Sequence, residues 1–267
     1  MKKIADLLSL KGRRALITGA IGGIGQEIAL TIAELGGDLI LVDRPNSNYD
    51  MIKKTVLNNW NVDIRCIDCD LENENSRINL INEVFKGNVN LDILINNAAF
   101  VGESSLKGWV EDFDKQSIQA WNSALEVNLT APFHLSQAFT PLLKKSGNGS
   151  IINIASIYGI NAPDYSLYSG TDMGNPAGYS ASKGGLLQLT RWLSTTIAPD
   201  VRVNSISPGG VWRNQPKQFV ERYEQRTPLE RMAVEEDFKG AIAYLASNLS
   251  AYVTGQNIVV DGGWTAW

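Results

Sequence analysis

The stretch "ALITGAIGGIGQEIA", Ala15 to Ala29, decides the fold. A run of strand length ending at Thr18 passes without a break into a turn with glycines at 19, 22, 23 and 25. Glycine allows a tight turn and close approach of a ligand, because no Cβ stands in the way. The helical pattern that follows, Gly23 to Leu35, aims its free N–H groups and the positive end of its dipole into that turn. Thr18, Gly19, Gly23 and Gly25 read TGxxxGxG rather than GxGxxG. A strand, a glycine turn and a helix in this order form a cradle for phosphate.

The alternation continues outward. Strand-length apolar runs recur as "LILVD", "VDIRCID", "LDILINN", "SIINIAS", "VRVNSIS" and "NIVVDGG". Helical patterns lie between them at Ser76–Phe85, Trp121–Lys144, Tyr179–Ile197 and Glu235–Ala246. Strands separated by helices need crossover connections, which gives a parallel sheet covered on both faces. The expected architecture is an α/β fold, a doubly wound seven-stranded parallel sheet in one domain, 1–267. Its first half, about 1–150, would hold the phosphate ligand, and its second, about 151–267, the chemistry.

Composition excludes several classes. The chain has 267 residues, 44% hydrophobic, with Lys+Arg 24 against Asp+Glu 28 and a net charge of −4. No basic excess marks a nucleic-acid footprint. The start, "MKKIADLLSLKGRRALITG", is broken by Asp6, Lys11, Arg13 and Arg14, so it fails as a secretory signal. No uninterrupted apolar run of about 20 residues occurs. A soluble, cytoplasmic protein without membrane or nucleic-acid partners is expected. Cys66 and Cys69, in "CIDC", fall three apart on a strand and should face opposite ways, unpaired. The single histidine, His134, reads as a packed helix residue, and no route to a zinc site is left.

Two side-chain patterns carry chemistry. Asp43 ends the second strand, 18 residues after Gly25, where a carboxylate can bond adenosine ribose hydroxyls and repel a 2′-phosphate. That argues for NAD over NADP, although Arg44 could accept a phosphate. In "YSASKGG", Tyr179 and Lys183 are four apart and share a helix face among small residues.

With these motifs, the chain resembles the classical short-chain dehydrogenases/reductases over nearly its whole length. The resemblance implies a single-domain Rossmann fold, a soluble homotetramer, and an oxidoreductase acting on CH–OH groups with a nicotinamide cofactor. It implies a catalytic set of Asn128 in "VNLTAPF", Ser156 in "NIASIYG", Tyr179 and Lys183. Cofactor contacts would come from Thr18, Gly19, Gly23, Ile24 and Gly25 of the turn, and from Asp43 and Arg44. Asp70 and Leu71 would meet the adenine, and Asn97 and Ala98 of "NNAA" would support the sheet beside it. Pro208, Gly209 and Val211 of "SPGGV" would touch the nicotinamide, with Tyr179 and Lys183.

In that setting the tyrosine has a role. A phenol titrates near pH ~10, and a cation ~4 Å away lowers this by up to about three units at an effective dielectric of ~20. Lys183 is expected to do this with the positive nicotinamide ring adding to it, Ser156 to bond the reacting oxygen, and Asn128 to hold a proton-relay water.

Two regions depart from the family pattern. Ser156 and Tyr179 are separated by 23 positions, and the extra loop "GINAPDYSLYSGTDMGNPAGY" is expected to wall the substrate pocket. Its polar groups, Asn161, Asp164, Tyr165, Tyr168, Asp172 and Asn175, suit a hydroxyl-rich ligand, with Tyr158 nearby. The segment Val211–Met232 carries Arg213, a candidate partner for a substrate anion. The run "APDYSLY" to "GNPAGYSASKGGLLQLTRWL" resembles one subgroup, the flagellin modification protein A-type oxidoreductases. These are encoded with enzymes making sialic-acid-like nonulosonic acids. That implies a small-molecule sugar substrate in surface-glycan or flagellin modification. A 3-oxoacyl or other carbonyl reductase using NADPH is the alternative, and a dinucleotide sensor without turnover the alternative of another class. Trp264 and Trp267 in the tail "GGWTAW" are expected to pack on a neighbouring subunit.

Overall fold

The structure, a computed structural model, describes residues 1–87, 90–101 and 106–267. A short helix, α1 (Ile4–Leu8), precedes the alternation. β1 (Arg14–Thr18) leads to α2 (Gly23–Glu34), and β2 (Asp38–Asp43) to α3 (Asp50–Asn59). β3 (Ile64–Asp68) leads to α4 (Glu74–Lys86), and β4 (Ile93–Asn96) to α5 (Ile118–Leu125) and α6 (Ala131–Ser146). β5 (Gly149–Ile154) leads to α7 (Ala177–Thr196), and β6 (Val201–Pro208) to α8 (Lys217–Arg226) and α9 (Lys239–Ala246). The last strand is β7 (Asn257–Val260).

All strand pairs are parallel, in the order β3-β2-β1-β4-β5-β6-β7. Strand residues alternate between two cores because strand side chains have a period of two. Ala15, Ile17, Leu39 and Leu41 face α2, α3 and α9, where Ile28, Ile32, Ile52, Val56, Ile242 and Leu245 meet them. Leu16, Ile40, Val42 and Leu94 face α4, α6 and α7, against Leu80, Val84, Leu135, Phe139 and Leu193. The expected fold is the observed one. The edges differ from the inner strands: β3 and β7 are only partly buried. The strand order reverses between β1 and β4, which opens a crevice at the carboxyl ends of the strands.

Several local expectations are refined. The pattern at 121–144 is longer and divided: α5 passes into α6 through a π-helical segment, Glu126–Thr130. α3 had no reading in the sequence: it buries only Ile52 and Val56, and its other apolar residues, Met51 and Leu57, are exposed. Cys66 packs on the α2 side and Cys69 in the other core, both as free thiols. His134 on α6 accepts a hydrogen bond at Nδ1 from Arg77 Nε, 3.2 Å away. Trp264 does not await a neighbour: it is 2% exposed within its own chain, between Tyr158, Tyr223 and the guanidinium of Arg226. Trp267 stays exposed, with its Nε1 donating to Arg226 O at 3.2 Å.

Candidate active site

The glycine turn sits at the β1/β4 reversal and is locked to the end of β4. Thr18 Oγ1 accepts from the backbone nitrogens of Asn97 and Ala98, both at 3.1 Å. The Asn97 side chain donates back to Thr18 O at 3.0 Å and Gly19 O at 2.9 Å. Gly19 has φ +63, and a Cβ there would lie 2.7 Å from Ala98 Cα. A Cβ on Gly25 would lie 2.0 Å from Gly19 O. The turn therefore folds onto itself in a way only glycine permits, and Gly23 and Ile24 open α2 above it.

Asp43 stands at the adjacent strand end. Its Oδ2 accepts from Ile21 N at 2.8 Å, and its Oδ1 from Arg44 N at 2.8 Å and Ser47 Oγ at 3.2 Å. The carboxylate is thus fixed against the turn, while Arg44 is exposed. Asp70 is exposed and Leu71 buried just past β3. A floor closed to any Cβ, a helix N-terminus and a held carboxylate fit a dinucleotide.

Ser156, Tyr179 and Lys183 come together beyond β5. Ser156 Oγ accepts from Tyr158 N at 3.1 Å and so caps the single turn Ile157–Gly159. That turn lies directly on α7, since a Cβ on Gly159 would be 2.8 Å from Lys183 C and O. Lys183 is buried, donates from Nζ to Ile154 O at 2.8 Å, and has Nζ 5.9 Å from the Tyr179 ring centroid. Burial pushes the Lys183 ammonium down to about 8. Burial raises the Tyr179 phenol, while a hydrogen bond with Ser156 pulls it the other way.

Asn128 is wholly buried on the π segment. Its Oδ1 accepts from Phe100 N at 2.6 Å, and its Nδ2 donates to Phe100 O at 3.2 Å and Ser182 Oγ at 3.0 Å. Its side chain ties the chain after β4 to α7. Pro208 ends β6, and Gly209 N donates to Val260 O at 2.9 Å. Val211 bridges to Ala233. Gly210 N donates to the hydroxyl of Tyr223 on α8. Tyr223 was legible only as one helix position among polar neighbours; its partner at the i−4 spacing, Phe219, marks the buried face.

The 160–178 loop is strapped to α8. Arg226 pairs with Asp164, Gln218 donates to Gly170 O, and Arg222 donates to Leu167 O and Ser169 O. Tyr168 is buried beside Phe219, and its hydroxyl is 2.6 Å from that of Tyr158. Burial raises both phenols. Tyr165 is exposed, donating to Asn175 O at 3.2 Å, and Asn175 Oδ1 accepts from Ser180 Oγ at 2.8 Å. Most of the loop's polar groups are therefore bonded within the protein; the Tyr165 ring packs on Tyr168, 6.2 Å between centroids, while its hydroxyl bonds Asn175 O rather than the Tyr158–Tyr168 hydroxyl pair. Arg213 is also placed differently from the sequence reading, over Gly23 and paired with Glu235 at 3.1 Å. Glu235 is 212 positions from Gly23, and nothing local in the sequence announces it.

Comparison with known proteins agrees with this geometry. The family described as enoyl-(acyl carrier protein) reductase matches residues 19–265. The chain is 33% identical over 265 residues to a 3-oxoacyl-[acyl-carrier-protein] reductase of Rickettsia felis, covering 96% of this chain and 98% of the relative. It is 30% identical over 257 residues to a post-translational flagellin modification protein A of Campylobacter coli, covering 96% and 99%. A short-chain dehydrogenase of Leptospira borgpetersenii solved with bound NAD+ superposes with TM-score 0.83 at 32% identity, covering 99% and 96%. Among the described residues no helix is long and apolar enough to cross a membrane. The chain belongs to the classical short-chain dehydrogenase/reductase family of oxidoreductases, which act on carbonyl and alcohol groups.

Proposed function

We propose that the protein is an NAD-dependent oxidoreductase interconverting a secondary alcohol and a ketone on a polar, sugar-like substrate. The observation that carries this reading is the meeting of Ser156, Tyr179 and Lys183 just past the end of β5. The dinucleotide, when bound, supplies the hydride donor or acceptor. The chain supplies the proton chemistry. Tyr179 gives a proton to the forming alkoxide oxygen in reduction, or removes it from the hydroxyl in oxidation. Ser156 orients the reacting oxygen, and Asn128 holds the backbone around Phe100 and α7 in register. Lys183, titrating near 8, is mostly charged at neutral pH and keeps a positive field beside the phenol.

Asp43 supports NAD over NADP, since a fixed carboxylate repels a 2′-phosphate. This choice rests on Asp43 rather than on the relatives. For the substrate, the hydroxyl of Tyr158, two residues along from Ser156 and 2.6 Å from that of Tyr168, supports a polar wall. A nonulosonic acid or its nucleotide-activated form, in surface-glycan or flagellin modification, is the class proposed. The test is a turnover screen with NAD+ and NADH against free and nucleotide-activated sugars, read by nicotinamide absorbance. Turnover of none of them would sink the sugar reading.

One observation favours a second reading. Leu167, Phe219, Met232 and Trp264 make an apolar cluster where the 160–178 loop meets α8, which would suit a 3-oxoacyl or other carbonyl substrate with NADPH. Faster turnover of such an ester would select it. A sensor without turnover gains no support, because the proton-transfer residues are assembled.

A further inference from the structure

The segment after the 208–211 turn runs beside the start of α9. Val211 bridges to Ala233, and Trp212 N donates to Ala233 O at 2.9 Å. Arg213 and Glu235 are thereby brought side by side, with Nη2 and Oε1 3.1 Å apart. Gln215 braces the arginine, accepting from Arg213 N at 2.7 Å and donating to Val211 O at 2.7 Å. The pair lies on the first residue of α2: a Cβ on Gly23 would be 2.4 Å from Glu235 Oε1 and 2.9 Å from Arg213 Nη2. A carboxylate therefore stands at the mouth of the glycine turn, where the helix end favours an anion.

We propose that Arg213 clamps the diphosphate of the dinucleotide, and that Glu235 is its resident competitor, displaced from the guanidinium when the diphosphate binds. The proposal rests on the dinucleotide reading above. Two features support the exchange. Both side chains are partly exposed, so the ion pair is screened and opens easily. A guanidinium meets a diphosphate through two parallel charge-assisted bonds, which a single contact to Glu235 does not match. Arg213 then serves the cofactor, not the substrate anion suggested by the sequence.

The test is calorimetry on the full chain with NADH, ADP-ribose and adenosine as separate probes. Arg213→Gln should weaken NADH and ADP-ribose about tenfold or more and leave adenosine within about twofold, since adenosine has no diphosphate. Glu235→Gln should tighten NADH and ADP-ribose about threefold or more, because a competing anion is gone. Thermal melts of each variant keep misfolding separate from binding. Wild-type affinity for NADH in Arg213→Gln, or weaker binding in Glu235→Gln, overturns the clamp. Failure of the wild-type chain to bind NADH at all would instead overturn the dinucleotide reading, and the clamp with it.

Discussion

The Lys183 ammonium donates to the carbonyl of Ile154 at 2.8 Å, so the lysine of α7 is anchored to the last residue of β5. Strand and helix are thereby held at the spacing that places Ser156 and Tyr179 together. The anchor comes with a buried charge. Lys183 titrates at about 8 in the folded chain against 10.5 unfolded, so between those values the unfolded state binds more protons. Stability from this group therefore rises as pH increases from about 8 to 10.5, and the burial penalty is present in full below 8. Taken at about 1.4 kcal/mol per unit, that penalty is roughly 3 kcal/mol. Lys183→Met should lose this rise and also lose turnover. Chemical denaturation from pH 7 to 10.5 checks it. A parallel pH dependence in mutant and wild type would contradict the buried charge.

Tyr179→Phe removes the phenol without touching the cradle. We expect turnover to fall about 100-fold or more, in the range general acid–base catalysis contributes, with NADH affinity within about twofold. Stopped-flow turnover and calorimetry read the two separately. A variant retaining more than a few per cent of the rate would remove Tyr179 from proton transfer.

Asp43→Asn keeps an acceptor for Ile21 N and removes the charge. NAD(H) should bind more tightly than NADP(H) in the wild type, and the variant should gain roughly tenfold for NADP(H). Calorimetry with both cofactors decides. Tighter NADP(H) binding by the wild type would transfer the selection to Arg44.

Assembly can be tested on the α5–α7 side, where Ile118 is 74%, Phe133 39% and Trp192 53% exposed. Large apolar side chains left exposed in this way are candidates for a contact surface. We expect a homotetramer by light scattering, dissociated by Trp192→Asp. A monomer at micromolar concentration would end that expectation.

What was legible in the sequence depends on the distance over which it is decided. The glycine turn, Asp43 and the Tyr179–Lys183 spacing are written within one turn or one strand end, and their placement at the β1/β4 reversal follows from the alternation of elements. α3 was missed because only Ile52 and Val56 of it are buried, too few to show a period. Trp264 was misread because Tyr158, Tyr223 and Arg226 cover it from remote positions. Spacing gives the proximity of Tyr179 and Lys183 but not the carbonyl of Ile154 that holds the ammonium. Glu235 beside Gly23 follows from a bridge between Val211 and Ala233, and such long-range pairing leaves no local pattern.

The 160–178 loop, the proposed wall of the substrate pocket, is strapped to α8. Arg222 and Arg226 hold the loop through Leu167 O, Ser169 O and Asp164, and the cluster of Leu167, Tyr168 and Phe219 joins the two beneath. Arg226 also lies over Trp264, 5.2 Å from its ring, so it couples the tail to the same wall. Replacing Arg222 and Arg226 together by Gln removes three hydrogen-bonded anchors while leaving the apolar cluster. These contacts are largely exposed, so the cost in global stability should be about 1 kcal/mol or less. The loop should nevertheless loosen, raising KM for the substrate about fivefold or more with kcat less affected and NADH affinity unchanged. Steady-state kinetics on the best substrate and calorimetry with NADH measure the three quantities. If KM stays at the wild-type value while the double variant is folded, the loop is not a wall of the substrate pocket. The polar ligand class would then lose its structural support.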